Sequence, residues 1–176
     1  VNTIDTVEIA TTGNATDFGD LPRVTTDTGG FASATRGFTA GGYDPSYLSA
    51  IDFVVFSSGG GGNDFGNLSS NRRAFSGSGD GTRGLFFGGN NPTATGIIQF
   101  VNFASTGSVN SFGALGVDCG RGSSNGAFNC DDNGSFSSPT RAFVFGSGDT
   151  SNVIQFVTIS TLGDSQDFGD LTERVR

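Results

Sequence analysis

The chain has 176 residues, enough for one domain with a sizeable core. It contains 30 glycines and 18 phenylalanines but no histidine, tryptophan or methionine, and its formal net charge is −8. The lack of histidine excludes Ser-His-Asp and Cys-His nucleophile systems and histidine metal sites, and the negative charge argues against nucleic-acid and anionic-membrane partners. The abundance of strand and turn formers predicts an all-β fold.

Internal repetition is the strongest pattern along the chain. An apolar motif that begins with isoleucine occurs four times, at Ile4, Ile51, Ile98 and Ile154. Fourteen residues after each isoleucine comes a phenylalanine, in the series Phe18, Phe65, Phe112 and Phe168. A third element has its arginine at Arg36, Arg83 and Arg141, and a doublet of small residues follows it. This fixed order indicates duplicated structural units.

Each unit is predicted to contain four short strands separated by clusters of Gly, Asn, Asp and Ser. The first begins near the basic residue that follows the phenylalanine motif, as at Arg23 and Arg73. The second ends at the small doublet, as in residues 83–87, and the third follows the isoleucine. The fourth is short and carries the repeated phenylalanine. Four strands at a period near 50 residues are typical of β-propeller blades.

Successive isoleucines are 47, 47 and 56 residues apart, and the extra length lies in an insertion that contains Cys119 and Cys130. A disulfide that closes this loop is the simplest interpretation, and it would imply an oxidising setting. Two free thiols are the alternative. The single repeat domain 1–176 is predicted to divide into a partial blade, a blade, a blade that ends in the insertion, and a last blade, at 1–30, 31–77, 78–135 and 136–176.

The recurring side chains are expected to have structural roles, and for each of them a binding or catalytic role is the alternative. The phenylalanines are expected to fill the spaces between blades, with carbohydrate stacking as the alternative. The arginines are expected to pair with an acidic side chain or a backbone carbonyl of the next blade, with an anion- or substrate-binding ring as the alternative. The aspartates beside the phenylalanines are expected to cap turns, with calcium binding as the alternative. Asp131 and Asp132 are expected to form a solvated turn rather than a glycosidase pair.

The order of these motifs resembles that of kelch repeats. In residues 85–89 (LFFGG) a strand ends in a Gly doublet, an alternating strand follows at 98–103, and Phe112 comes after it. Valine and phenylalanine replace the tyrosine and tryptophan of that family. The resemblance implies a β-propeller, or part of one, made of four-stranded antiparallel blades.

A closer resemblance is to the 47-residue repeats of marine, cyanophage-type bacteriophage virion proteins. Residues 2–5 (NTID) and 12–21 (TGNATDFGDL) carry it almost letter for letter. It implies a tail fibre or another appendage on the virion surface, and therefore an extracellular location.

Three functions compete on this basis. The first is a structural or adhesive virion protein whose loops bind a host-surface glycan or protein, other virion subunits, or other copies of itself. The second is a carbohydrate-active propeller enzyme, and the third is a kelch-type adaptor. The lack of a strong catalytic motif favours the first, with no enzymatic activity, cofactor, metal, nucleic-acid partner or membrane insertion expected. The first unit lacks two strands, so we expect a longer repeat array or a neighbouring chain to cover the edge of residues 3–10, where Val7 and Ile9 share one face.

Overall fold

The protein is all-β, as predicted, and the computed structural model describes residues 1–116, 133–146 and 151–173. These residues contain no helix that could cross a membrane. The strands are β1 (Thr3–Thr6), β2 (Thr16–Asp20), β3 (Gly29–Ala32), β4 (Arg36–Ala40), β5 (Ala50–Val55), β6 (Asn63–Asn67), β7 (Ser76–Gly79), β8 (Arg83–Phe87), β9 (Ile97–Asn102), β10 (Asn110–Ala114), β11 (Gly134–Ser137), β12 (Arg141–Phe145), β13 (Val153–Thr158) and β14 (Gln166–Asp170).

The strands form antiparallel sheets in which each strand pairs with its neighbour in sequence. We call the two-stranded sheet β1–β2 the half-blade, and we call the four-stranded sheets β3–β6, β7–β10 and β11–β14 blades 1, 2 and 3. The prediction of four-stranded antiparallel sheets is confirmed for the three blades. By its place in the repeat, the half-blade corresponds to the third and fourth strands of a blade.

The repeated phenylalanine is the extra residue of a β-bulge in the outermost strand of each sheet. In blade 1, Asp64 pairs with Asp52 and Gly66 pairs with Ile51, which leaves Phe65 between them without a partner. The same shift of register occurs in the half-blade and in the other two blades. A bulge bends its strand and turns the extra side chain out of the regular alternation.

Neighbouring blades stack with their first strands side by side, so that β7 lies against β3 and β11. Small residues allow this close approach, because a Cβ on Gly77 would lie 2.8 Å from the carbonyl oxygen of Gly30. The hydroxyl of Ser135 in β11 also donates to the carbonyl of Gly77 at 3.1 Å. The first strands therefore share one side of the stack.

Two apolar cores fill the spaces between complete blades, and burial of this kind is the main stabilising term for stacked repeats. The core between blades 1 and 2 contains Phe38, Ala40, Ile51, Phe65, Leu68, Phe75, Phe86, Val101 and Phe103. The core between blades 2 and 3 contains Leu85, Phe87, Ile98, Phe100, Phe112, Leu115, Ala142, Val144, Val157 and Ile159.

Some predicted strand limits differ from the observed ones. Arg23 and Arg73 precede the first strands β3 and β7, because the chain must cross from the outer edge of one blade to the inner strand of the next. The unit boundaries drawn after residues 30, 77 and 135 consequently fall inside β3, β7 and β11. The strand expected over 3–10 ends at Thr6, so Val7 and Ile9 extend beyond it.

Candidate functional site

The four repeated phenylalanines occupy the same strand position but differ in burial. Phe65 is 3% exposed and Phe112 is buried, because the next blade covers each of them. Phe18 is half-buried, and Phe168 is 56% exposed. The expectation that each phenylalanine fills a space between blades is wrong for Phe168, because no sheet packs against the outer face of blade 3 in the described part of the chain.

The repeated arginines begin the second strand of each blade and lie over an aromatic ring of the third strand. The guanidinium carbon is 4.6–5.1 Å from the ring centre in the pairs Arg36–Phe53, Arg83–Phe100 and Arg141–Phe156. Such cation–π contacts stabilise the pair by about 0.5–1 kcal/mol at partly exposed sites. Arg83 also donates to the backbone carbonyl of Ile159 in blade 3 at 2.8 Å. The contact within each blade accounts for the recurrence of the arginine.

Two further arginines join consecutive sheets. The Nε and Nη2 atoms of Arg23 each lie 2.9 Å from a carboxylate oxygen of Asp52, which is buried in β5. Burial raises the pKa of Asp52, although the hydrogen bond and the charge of Arg23 act to lower it. At the next junction the buried guanidinium of Arg72 donates to Gln99, and burial lowers the pKa of Arg72 to about 10. Since Asp52 and Gln99 are 47 residues apart, one junction position holds a charged acceptor in blade 1 and a neutral one in blade 2.

The connection between β4 and β5 carries the two tyrosines of the chain, Tyr43 and Tyr47. Their rings meet edge to face, with centres 5.6 Å apart. The guanidinium carbon of Arg73 lies 5.2 Å and 5.5 Å from the two ring centres, and its Nη1 lies 3.0 Å from Oδ2 of Asp27. We call these four residues the tyrosine cluster. It presents aromatic surface and an exposed ion pair to solvent, a combination suited to stacking and hydrogen bonding with a polar ligand.

The backbone of this loop recurs one blade later with other side chains. Tyr43 and Thr26 exchange two backbone hydrogen bonds of 3.0 and 3.2 Å, and Asn90 and Arg73 exchange two bonds of the same lengths. The loop tips also match, since the N–H of residue 44 donates to the carbonyl of residue 46 as the N–H of residue 91 does to that of residue 93. The equivalent side chains are the pairs Tyr43–Asn90 and Tyr47–Ala94. A constant backbone therefore carries different side chains.

An apolar cleft of about 290 Å³ separates the half-blade from blade 1. Its walls include Ile4 and Leu21 on one side and Phe38, Val54 and Phe56 on the other. The half-blade contributes only two strands, so part of the face of blade 1 stays open to this cleft.

Four predicted positions lie outside the described residues. They are Cys119, Cys130, Asp131 and Asp132. The disulfide and the solvated turn therefore stay predictions. Within the described ranges, no group of three or more His, Cys, Asp or Glu side chains is arranged to hold a metal ion.

The repeat pattern did not reveal the tyrosine cluster, because its residues come from three separate segments. Asp27 and Arg73 precede β3 and β7, whereas both tyrosines follow β4. A signal was nevertheless available in the composition, since a chain with 18 phenylalanines places its two tyrosines four residues apart in one loop.

Comparison with known proteins assigns no family. No protein-family model matches the chain, and no curated protein gives a significant match. Function is therefore inferred from the repeated sheets, their junctions and their loops.

Proposed function

We propose that this protein is a structural and adhesive component of a virion surface, built as part of a kelch-like β-propeller. Its stacked blades form the scaffold, and the loops between second and third strands bind a host-surface glycan or protein or another virion subunit. The supporting observation is the constant loop backbone that carries Tyr43 and Tyr47 in blade 1 but Asn90 and Ala94 in blade 2.

This loop arrangement suits binding because the backbone holds the shape of the loop and the side chains are left to contact a ligand. The loop backbone is held by hydrogen bonds that do not depend on the side chains, so the side chains can change without loss of the fold. In blade 1 those positions hold two aromatic rings beside Arg73. Tyrosine adds large contact area at a low cost in conformational entropy, which favours it in binding loops.

The recurring polar side chains serve the scaffold instead. Arg23 and Arg72 each connect a linker to the next blade, and Arg83 connects blade 2 to blade 3. This use of charged groups at the junctions favours a structural protein over a propeller enzyme. The resemblance of residues 2–5 and 12–21 to phage virion repeats is the basis for proposing a location on the virion surface.

Location on the virion is tested with an antiserum raised against the 176-residue chain. The antiserum is applied to intact particles of the source phage and visualised by immunogold electron microscopy. We expect gold on fibres or other appendages, and serum absorbed with the pure protein serves as the control. Particles without label would contradict the virion assignment.

Adhesion is tested by binding of the labelled chain to a microarray of bacterial surface polysaccharides and to intact host cells. The double variant Tyr43→Ala, Tyr47→Ala is expected to lose at least roughly tenfold in affinity, because aromatic anchors dominate such contacts. Leu162→Ala is the matched control, because it removes an exposed apolar side chain from a loop between third and fourth strands. Equal binding by the double variant and the wild type would overturn the role of this loop.

A further inference from the structure

The last blade exposes an aromatic face whose counterpart in blade 1 is buried. In blade 3, Phe136 stacks on Phe143 with ring centres 4.9 Å apart, and Phe168 meets Phe143 edge to face at 5.1 Å. The equivalent rings of blade 1 are arranged in the same way, with distances of 5.1 and 5.3 Å in the pairs Phe31–Phe38 and Phe38–Phe65. Phe38 and Phe65 are buried, whereas Phe136 is 53% exposed and Phe168 is still more so. We call Phe136, Phe143, Phe156 and Phe168 the tail face.

Within the chain, a phenylalanine of blade 2 covers the equivalent aromatic rings of blade 1. Phe103 of blade 2 stacks on Phe38 with ring centres 5.0 Å apart and also contacts Phe31. At the equivalent position of blade 3, Ile159 is fully buried against blade 2. Counting back by the repeat of 47 residues from Phe103 leads through Phe56 to Ile9.

The half-blade exposes this covering position. Ile9 is 96% exposed and Val7, which corresponds to Val101 of the same core, is mostly exposed as well. We call Val7, Ile9 and the loop 13–15 the head face. One chain therefore carries both halves of the interface that joins its own blades, and no described residue covers Ile9 on one half or Phe168 on the other.

The backbone donors and acceptors of the head face and the tail face are complementary as well. At each internal junction the bulge phenylalanine and the residue two positions later accept bonds from the loop before the fourth strand of the next sheet. These bonds measure 2.7–3.0 Å in the donor–acceptor pairs Gly60–Phe18, Gly62–Asp20, Gly107–Phe65, Val109–Asn67, Gly163–Phe112 and Ser165–Ala114. The equivalent donors are Gly13 and Ala15 of the head face, and the equivalent acceptors are Phe168 of the tail face and Asp170 beside it in β14. Among the described residues, none of these four forms such a bond.

We infer that copies of this chain associate head to tail, with the half-blade of one copy packed on blade 3 of the next. Ile9 of one copy then covers Phe143 and Phe136 of the other, as Phe103 covers Phe38 and Phe31. A second copy is the occupant because the fit between these two surfaces is already realised at the junctions within a single chain.

The contact would be heterologous, since different surfaces of the two copies meet. Such contacts continue to a closed ring or to an open filament. The inference does not rest on the proposed adhesive function, because neither face includes the tyrosine cluster.

A mixing experiment with two single variants tests this arrangement. Ile9→Asp places a charge on the head face and Phe168→Asp places one on the tail face. Each change buries an unpaired carboxylate in the contact, and we expect either to weaken association by at least roughly 30-fold. In sedimentation velocity the wild type is expected to associate with rising concentration, and each variant alone is expected to sediment as a monomer.

The mixture is expected to form a dimer and nothing larger. The Phe168→Asp copy keeps an intact head, the Ile9→Asp copy keeps an intact tail, and one productive contact is left between them. Leu162→Asp is the matched control, because Leu162 is as exposed as Phe168 but belongs to neither face. This variant should associate like the wild type. Circular dichroism checks that all three variants are folded.

Three results would each overturn the inference. The first is a wild-type chain that stays monomeric at the highest soluble concentration. The second is a variant mixture that stays monomeric while the wild type associates. The third is association that survives either single substitution, because a different surface would then be responsible.

Discussion

Arg23 holds Asp52 across the junction between the half-blade and blade 1, with two nitrogen–oxygen distances of 2.9 Å. The carboxylate is buried, while the guanidinium is more than a third exposed. The pKa of Asp52 is nevertheless raised, because the cost of burial exceeds the benefit of its partner. This junction is therefore held together at an electrostatic cost that depends on pH.

The first prediction concerns this pH dependence. A carboxyl group with a raised pKa in the folded state adds stability that is fully present below its ordinary value of 3.8 and is lost as the pH rises through the folded pKa. Relative to the variant Asp52→Asn, the wild type should gain stability as the pH falls from 7 to about 4. Denaturant unfolding of both proteins at several pH values measures the difference.

Asp80 is the control, because its pKa is shifted in the opposite direction to that of Asp52. Burial acts to raise the pKa of Asp80, but hydrogen bonds from the Arg83 and Thr82 backbones and from the Thr82 hydroxyl outweigh it, and its pKa is lowered. Its contribution is present above 3.8 and is lost as the pH falls through the folded pKa. Relative to Asp80→Asn, the wild type should lose stability below about pH 4. If the stability of the wild type relative to the Asn variant changed in the same direction with pH at both sites, the opposite pKa shifts of Asp52 and Asp80 would be contradicted.

The second prediction contrasts two adjacent arginines. Arg72→Ala removes a fully buried side chain and leaves Gln99 without this donor, so we expect it to lower the free energy of unfolding by about 2–4 kcal/mol. Arg73→Ala removes an exposed ion pair with Asp27 and the cation–π contacts with the two tyrosine rings, and it should cost about 1–2 kcal/mol. Urea unfolding followed by circular dichroism gives both values. Similar losses in the free energy of unfolding for the two substitutions would show that the burial of Arg72 adds little to stability.

The third prediction uses the unequal burial of the repeated phenylalanine. Phe65→Ala should destabilise the chain by about 3–5 kcal/mol, because it opens a cavity between blades 1 and 2. Phe168→Ala should cost less than about 1 kcal/mol in dilute, monomeric protein, since that ring is mostly exposed. Thermal unfolding at low protein concentration compares the two, and an equal loss would refute the assigned difference in packing.

The fourth prediction concerns the glycine that follows each repeated phenylalanine. A Cβ at Gly66 would lie 2.2 Å from the carbonyl oxygen of Gly107 in blade 2, whereas a Cβ at Gly169 would meet nothing within 4 Å. Both glycines have positive φ, at 156° and 141°, so Gly169→Ala reports the cost of the backbone conformation alone, about 1–3 kcal/mol. Gly66→Ala should cost clearly more, because the blades must separate. Equal unfolding midpoints would show that the close approach is unimportant.

The strands and their grouping into sheets follow from the amino-acid sequence alone. The motifs of Ile51 and Phe65 recur at spacings of 47, 47 and 56 residues and mark the third and fourth strands of each blade, and residues 83–87 form the predicted second strand. These features could be predicted because strand alternation, glycine turns and repeat length are local properties of the chain. The first strands were placed too early, since the basic residues beside them belong to the crossing linkers.

Which copies of a repeated side chain are buried, and which distant side chains converge, depends on how the sheets pack. Phe65 and Phe168 have the same local sequence pattern, yet one is buried and the other exposed, because burial depends on whether another sheet lies against that face. Arg73 meets Tyr43 and Tyr47 only because the linker of one blade crosses the loop of the previous one. Contacts of this kind depend on how the blades stack, and the spacing of residues along the chain does not encode that stacking.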